Sequence, residues 1–175
     1  MLAQWIAFVI CSLGLICLSR RSLFQPRSHG FARFFAFEAA LGLVVVNAPV
    51  WFFEPFAVRQ IFSWSLLLGS IILVIHGVHL LRIIGKPRGS FENTTELVVV
   101  GAYRYIRHPM YSSLLLLGMG AFLKDPTLLA GILLMVLILA LIVTARVEES
   151  ENTHHFGVAY KQYIQRTKMF IPYIF

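Results

Sequence analysis

An all-α integral membrane protein is what this sequence predicts, and three observations predict it. The 175-residue chain is 58% hydrophobic with a mean hydropathy of +0.78, too apolar for a soluble domain of that size. The excess is segregated into runs, as membrane spans require. The basic residues fall almost entirely on one side of the layout those runs define.

The first run, residues 2–18, is broken only by Gln4 and Ser12 and is stopped by Arg20 and Arg21. It has no basic n-region and no small-residue cleavage site, so it reads as a span and not as a removed signal peptide. Residues 19–33 are polar and basic, with Pro26 and Gly30 as breakers. A second span covers 34–53, with Glu38 inside it and Asn47-Ala48-Pro49 near its end. Glu54-Pro55 and Arg59 form a short turn, and a third span, 61–84, carries His76 and His79. Residues 85–109 are a connecting loop or interfacial segment. Residues 110–123 are apolar but short, and Lys124-Asp125-Pro126 is a tight turn into a last span, 127–145. The segment 110–145 is therefore a helical hairpin. A polar helical tail, 146–175, ends in Phe170-Ile171-Pro172-Tyr173-Ile174-Phe175, a patch suited to the membrane interface.

These elements give about five transmembrane helices in two parts. Residues 1–84 hold three N-terminal helices with short loops, and 85–175 hold a core of loop, hairpin and tail. In this layout thirteen of the fifteen Lys and Arg residues share one side, and only Arg59 and Lys124 lie on the other. The positive-inside rule then puts the N-terminus outside and the C-terminus in the cytoplasm. The formal charge of +7 is explained by topology and anionic lipid, so no nucleic-acid partner is expected. Cys11 and Cys17 are six apart on different helix faces and form no disulfide or zinc pattern.

Two polar clusters flank the hairpin on its basic side. The first runs from Gly101 to Tyr111 and packs Tyr103, Arg104, Tyr105, Arg107, His108, Pro109, Met110 and Tyr111 together. Pro109 biases His108 away from helix and is itself a favourable first helical residue. The free N–H groups of that helix start favour negative charge, and the arginines add donors for a carboxylate or phosphate. The plain alternative is interfacial anchoring, since Tyr and Arg are common where helices leave a bilayer. The second cluster is Arg146, Glu148, Glu149 and Glu151. A carboxylate there can hold a ligand ammonium or sulfonium; the plain alternative is a solvated helix start.

Elsewhere, His76 and His79 share a helix face and could ligate a metal or haem, but an interior hydrogen-bond network with Arg82 is the commoner use of such a pair. No metal site is expected. Glu38 is functional by default inside a span, or pairs with an interior histidine. No repeat or low-complexity tract occurs. None of the polar pieces could build a nucleotide-binding α/β domain, and no glycine fingerprint follows a strand. Any cofactor must be held by helix ends and loops at the membrane surface.

The pattern Gly101-x-Tyr103-x-x-x-Arg107-His108-Pro109-x-Tyr111 resembles the signature of the isoprenylcysteine carboxyl methyltransferases and the related phospholipid N-methyltransferases. The tail is similar in order and spacing: Glu148-Glu149, then Phe156-Gly157-x-x-Tyr160-x-x-Tyr163, then Phe170-Ile171-Pro172. The resemblance covers about residues 85–175. It implies S-adenosylmethionine bound at the cytoplasmic face by Thr95, Glu96, Leu97, Val98, Tyr103, His108, Pro109, Met110 and Tyr111, with Glu148 on its ammonium. It also implies a lipophilic substrate entering from the bilayer, and methylation of an isoprenylcysteine-like carboxylate.

The chain departs from the family where an arginine would grip that carboxylate. That position is Thr144, and the arginine before the terminal Phe-Ile-Pro is Met169. An ionised carboxylate needs no general base, so catalysis would be positioning and desolvation with Arg146 or Arg107 as the holding cation. An amine would need a proton acceptor such as Glu149 or His108. The alternative functions are a lipid amine or thiol methyltransferase of the same superfamily, or a non-catalytic or reductase-like membrane protein.

Overall fold

A computed structural model describes residues 2–87 and 94–175. Of the predicted loop 85–109, residues 88–93 lie outside the described residues. The architecture is all-helical: α1 (Leu2–Leu23), α2 (His29–Asn47), α3 (Val58–Ile83), α4 (Pro109–Phe122), α5 (Leu128–Phe156) and α6 (Val158–Arg166). Short 3-10 turns occupy Ala48–Val50 and Gly101–Arg104. Among the described residues there is no strand, only an isolated parallel bridge between Ile106 and Lys168. Helices α1, α2, α3 and α5 are long and apolar enough to cross a membrane, so the chain is a multi-pass membrane protein. The fifth apolar helix, α4, has 14 residues and rises only about 21 Å.

Several boundaries differ from expectation; α1, for one, runs past Arg20 and Arg21 to Leu23, and α2 ends at Asn47 rather than 53. Helix α2 starts at His29 rather than 34: Ser28 is its extended N-cap, without a side-chain capping bond, and Gly30, expected as a breaker, is taken into the first helical turn. Helix α5 runs on to Phe156 rather than stopping at 145. Polarity ends a membrane span, but it does not end a helix. The break comes at Gly157, which takes φ +59°, a left-handed conformation that suits glycine. The result carries Glu148, Glu149, Glu151, Asn152 and His155 on one continuous helix that emerges from the bundle.

Lipid tails are as apolar as leucine, so helix association rests on close packing more than on water exclusion. The sequence supplies small residues where the helices meet. Ala36, Ala39 and Ala40 of α2 and Ala130 and Ala145 of α5 join Leu43, Leu137 and Leu141 in one buried cluster. Helix α4 is wedged between α3 and α5 by two glycines. A Cβ on Gly118 would collide with the Leu137 side chain of α5, and one on Gly120 would stand 2.9 Å from Leu67 Cγ of α3. Helix α1 packs mainly on α2 and buries little. Its polar link is Ser12, whose hydroxyl lies 2.9 Å from both carboxylate oxygens of Glu38.

The two ends of the bundle are distinct. At one end Lys124, in the α4–α5 turn, is fully buried. Its Nζ donates to Gln60 Oε1 at 3.0 Å and sits 3.6 Å from the centre of the Trp64 ring, with Trp51 beyond. At the other end the short α4 begins level with Gly77 of α3, where a Cβ would meet Met110 at 3.3 Å. Helices α3 and α5 continue past that level. Their overhang leaves a recess above the start of α4, and the site lies there.

Candidate functional site

The recess is a cavity of about 580 Å³, within the usual ~300–1,000 Å³ range of small-molecule sites. Its floor is the start of α4: His108, Met110 and Tyr111. One wall is the extension of α5, with Glu148, Glu151, Asn152, His155 and Phe156. The segment Thr94–Val98, with Leu81 of α3, forms another wall. Tyr103, Arg107, Tyr160, Tyr163 and His29 also line the cavity.

Local covalent chemistry sets the floor. His108 is the non-helical N-cap of α4 at φ −123°, and Pro109 takes the first helical position, as the sequence leads one to expect. The His108 ring is buried and stacks on Tyr111, with centroids 5.3 Å apart and an interplanar angle of 18°. The preceding turn needs Gly101, which has φ +58°. A Cβ there would lie 2.6 Å from Nε2 of His76. That same nitrogen accepts the Ala102 N–H at 3.3 Å, so His76 supports the turn.

The tail locks the loop in place. The Arg107 N–H donates to Lys168 O at 2.8 Å, and the Lys168 N–H donates to Tyr105 O at 3.0 Å. Ser112 Oγ bridges the carbonyls of His108 and Phe170 at 3.0 and 2.8 Å. Tyr163 donates to Tyr103 O at 2.7 Å. Burial, with Glu148 nearby, pushes the Tyr103 phenol well above its ordinary range. Burial does the same to Tyr160 and Tyr163. All three therefore stay protonated at neutral pH.

Charges are arranged in two tiers. Behind the cavity, Arg107 Nε donates to Glu149 Oε1 at 2.6 Å, and the same guanidinium reaches the carbonyls of Thr167 (2.5 Å) and Ile164 (3.4 Å). His108 Nε2 lies 3.3 Å from Glu149 Oε1. Facing the cavity, Glu148 accepts a short hydrogen bond from Tyr111, and its carboxylate stands 3.9 Å from His108 Nδ1.

Of the residues singled out in the sequence, Thr95, Leu97, Val98, Tyr103, Arg107, His108, Met110, Tyr111 and Glu148 line this one cavity. Glu96 does not: it is exposed and paired with Lys86 Nζ at 2.5 Å. Pro109 is buried at the helix start, beneath its neighbours. Glu149 stands behind the wall with Arg107. Arg146 is exposed and outside the lining, since two residues of helix turn it about 200° from Glu148. Thr144 is buried, with its hydroxyl on Ala140 O at 2.7 Å. The lining residues that sequence reasoning missed are His29, Leu81, Thr94, Asn152 and His155; Glu151 stood in the second cluster without an assigned role. Phe156, Tyr160 and Tyr163 stood in the tail pattern without an assigned role.

The sequence profile described as phospholipid methyltransferase matches residues 58–159. Methanethiol S-methyltransferase 1 of Bradyrhizobium diazoefficiens is 30% identical over 119 residues, which is 63% of this chain and 39% of that protein. The chain thus spans well under half the length of that relative. No solved structure matches significantly. The profile covers the third span, the loop, the hairpin and the start of the tail, and with them nearly every wall of the cavity. On that match the chain belongs to the phospholipid methyltransferase family.

Proposed function

We propose that the chain transfers a methyl group from S-adenosylmethionine to a neutral, lipophilic nucleophile, with a thiol as the first choice and an amine as the second. The observation that carries this reading is the polarity of the cavity. Glu148 and Glu151 offer carboxylates to it, while Arg107, the one Lys or Arg lining it among the described residues, is turned onto Glu149 and two main-chain carbonyls. An acidic cavity attracts a cation and repels a carboxylate.

The donor set fits the methyl donor. Glu148 would hold its ammonium, as the resemblance implies. Leu81, Leu97, Val98 and Met110 offer an apolar bed for a flat base. Tyr103, Tyr111 and Tyr160 present ring faces near which a sulfonium is stabilised. When bound, S-adenosylmethionine supplies an electrophilic methyl group. The residues' own work is to orient the acceptor in line with it and to exclude water. The acceptor would enter from the bilayer. The site end of the bundle carries most of the Lys and Arg residues, which supports a cytoplasmic site with the N-terminus outside.

A carboxylate acceptor of the isoprenylcysteine kind is the second reading, favoured by the joint His-Pro and tail motifs. One experiment separates the readings. Detergent-purified protein is titrated calorimetrically with S-adenosylhomocysteine, beside Glu148→Gln. It is then supplied with labelled methyl donor and a small thiol, a lipid amine or a prenylated cysteine. Micromolar binding weakened by Glu148→Gln, with a base-stable product, supports the proposal. A base-labile ester moves it to the carboxylate. A well-folded protein that binds no S-adenosylhomocysteine sinks both and favours a non-catalytic or reductase-like role.

A further inference from the structure

Residues 170–175 close on themselves beside the first turn of α4. The Phe170 and Ile171 N–H groups both donate to Phe175 O, at 2.8 and 2.6 Å. The Ile174 and Phe175 N–H groups donate back to Ile171 O, at 3.2 and 3.1 Å. The buried Phe170 ring meets those of Phe175 and His108, with centroids 6.0 and 6.1 Å away. Phe170 O accepts from Ser112 of α4 at 2.8 Å, which fixes the depth of this closed turn. Its other apolar side chains are exposed: Tyr173 is 81% and Ile174 73% accessible, with Ile171 and Phe175 beside them. Tyr105, also exposed, meets the Tyr173 ring with centroids 6.1 Å apart. An apolar surface whose main chain is already hydrogen-bonded is what insertion into a bilayer requires.

Helix α3 marks where that depth lies in the membrane. Its exposed side chains are apolar at Ile71, Ile72 and Ile75 and become mainly polar at His76, His79 and Arg82. Such a change marks the edge of the hydrocarbon. Gly77, against which α4 begins, lies on it. The closed turn, bonded to the first turn of α4, therefore sits where acyl chains meet headgroups, the level that aromatic side chains favour.

Two cations flank these aromatics. The Arg104 guanidinium stands 5.9 Å from the centre of the Tyr105 ring. Lys168 is exposed and is joined to the same residue, its backbone N–H lying 3.0 Å from Tyr105 O. Neither belongs to an ion pair among the described residues. From this juxtaposition we propose that residues 171–175 and Tyr105 form a docking patch for an anionic phospholipid. Acyl chains cover Ile171, Tyr173, Ile174 and Phe175, and Arg104 and Lys168 take the phosphate. A zwitterionic lipid offers the same phosphate, but its own ammonium offsets the attraction.

Charge also argues against a second copy of the chain as the occupant. A two-fold contact brings the same patch to itself, and with it the same cations, which repel. The patch lies outside the cavity, and the inference does not rest on the methyltransferase reading. Phe170 nevertheless joins the two, since its ring reaches Phe175 on one side and His108 of the cavity floor on the other.

The test needs no turnover. The full chain with Cys11→Ser and Cys17→Ser, which removes its two native thiols, carries a nitroxide label at Ile174→Cys. It is reconstituted in a bilayer of phosphatidylcholine and phosphatidylglycerol. Oxygen should reach the label more readily than a water-soluble nickel chelate does. Readier access for the chelate overturns the inference. Shielding from both reagents, which means that protein covers the patch, overturns it as well. In detergent, short-chain phosphatidylglycerol is titrated beside short-chain phosphatidylcholine. The anionic lipid should bind more tightly, and added salt should shrink the difference. Arg104→Gln and Lys168→Gln should each weaken its binding about fivefold, the effect of one surface cation on anionic lipid. Both side chains are exposed, so the variants should melt as the wild type does. Equal binding of the two lipids, or phosphatidylglycerol binding unchanged in the double variant, overturns the inference. S-adenosylhomocysteine binding by the wild type, measured separately, decides the methyltransferase reading whichever way this result falls.

Discussion

Arg107 and Glu149 form a nearly buried ion pair, Nε to Oε1 at 2.6 Å, with their side chains 9% and 13% exposed. The pair ties the loop before α4 to the emerging end of α5. The remaining Arg107 bonds tie the same loop to the tail. Removing one partner strands a charge at low dielectric. Arg107→Gln is expected to destabilise the protein by ~3–5 kcal/mol, and the double variant Arg107→Gln/Glu149→Gln by less than the sum of the singles. Thermal unfolding in detergent measures both. Strict additivity would show that the two groups do not act as a pair.

Glu148 faces the cavity and accepts a hydrogen bond from Tyr111. Its replacement by Gln retains shape and removes charge. S-adenosylhomocysteine affinity should drop ~10- to 100-fold, the worth of a charge-assisted hydrogen bond, with the melting temperature nearly unchanged. Calorimetric titration checks this. Equal affinity in wild type and variant would remove Glu148 from the ligand.

The glycine of α4 at 118 is a packing requirement. Leu137, against which its Cβ would collide, is fully buried and has nowhere to go. Gly118→Ala should cost ~1–3 kcal/mol by overpacking, despite the ~1 kcal/mol that alanine gains in helix propensity. Gly14→Ala on the peripheral α1, where nothing lies within 4 Å, should be neutral or stabilising. The two melting curves side by side decide it.

The buried phenols predict alkaline behaviour, and the sign is definite. Tyr103, Tyr160 and Tyr163 resist ionisation in the folded protein, whereas in the unfolded chain they ionise near 10.0. The unfolded state therefore loses protons first. Stability is full below that pH and falls as pH rises above it. Tyr163→Phe should lose ~0.5–1.5 kcal/mol at neutral pH with its bond to Tyr103 O, and should show a shallower decline above pH ~10. A parallel decline in wild type and variant would contradict the assignment.

The sequence by itself determined the class of the molecule, the order of its spans and the chemistry near 101–111. Those features are local. Hydropathy sums along a run, and Pro109 acts on His108 through its own ring, so neither waits for a distant partner. Gly157 ended its helix for the same reason. Tertiary structure alone decided how the polar groups divide the work. Glu148 and Glu149 are neighbours in sequence, yet helix phase turns one to the cavity and the other to Arg107. Arg146, equally plausible on composition, projects away. His29 and Glu151 are 122 positions apart and meet because α2 packs along α5. No periodicity encodes that meeting: it depends on where alanines let two helices approach, and on α5 continuing past the membrane where polarity alone put its end.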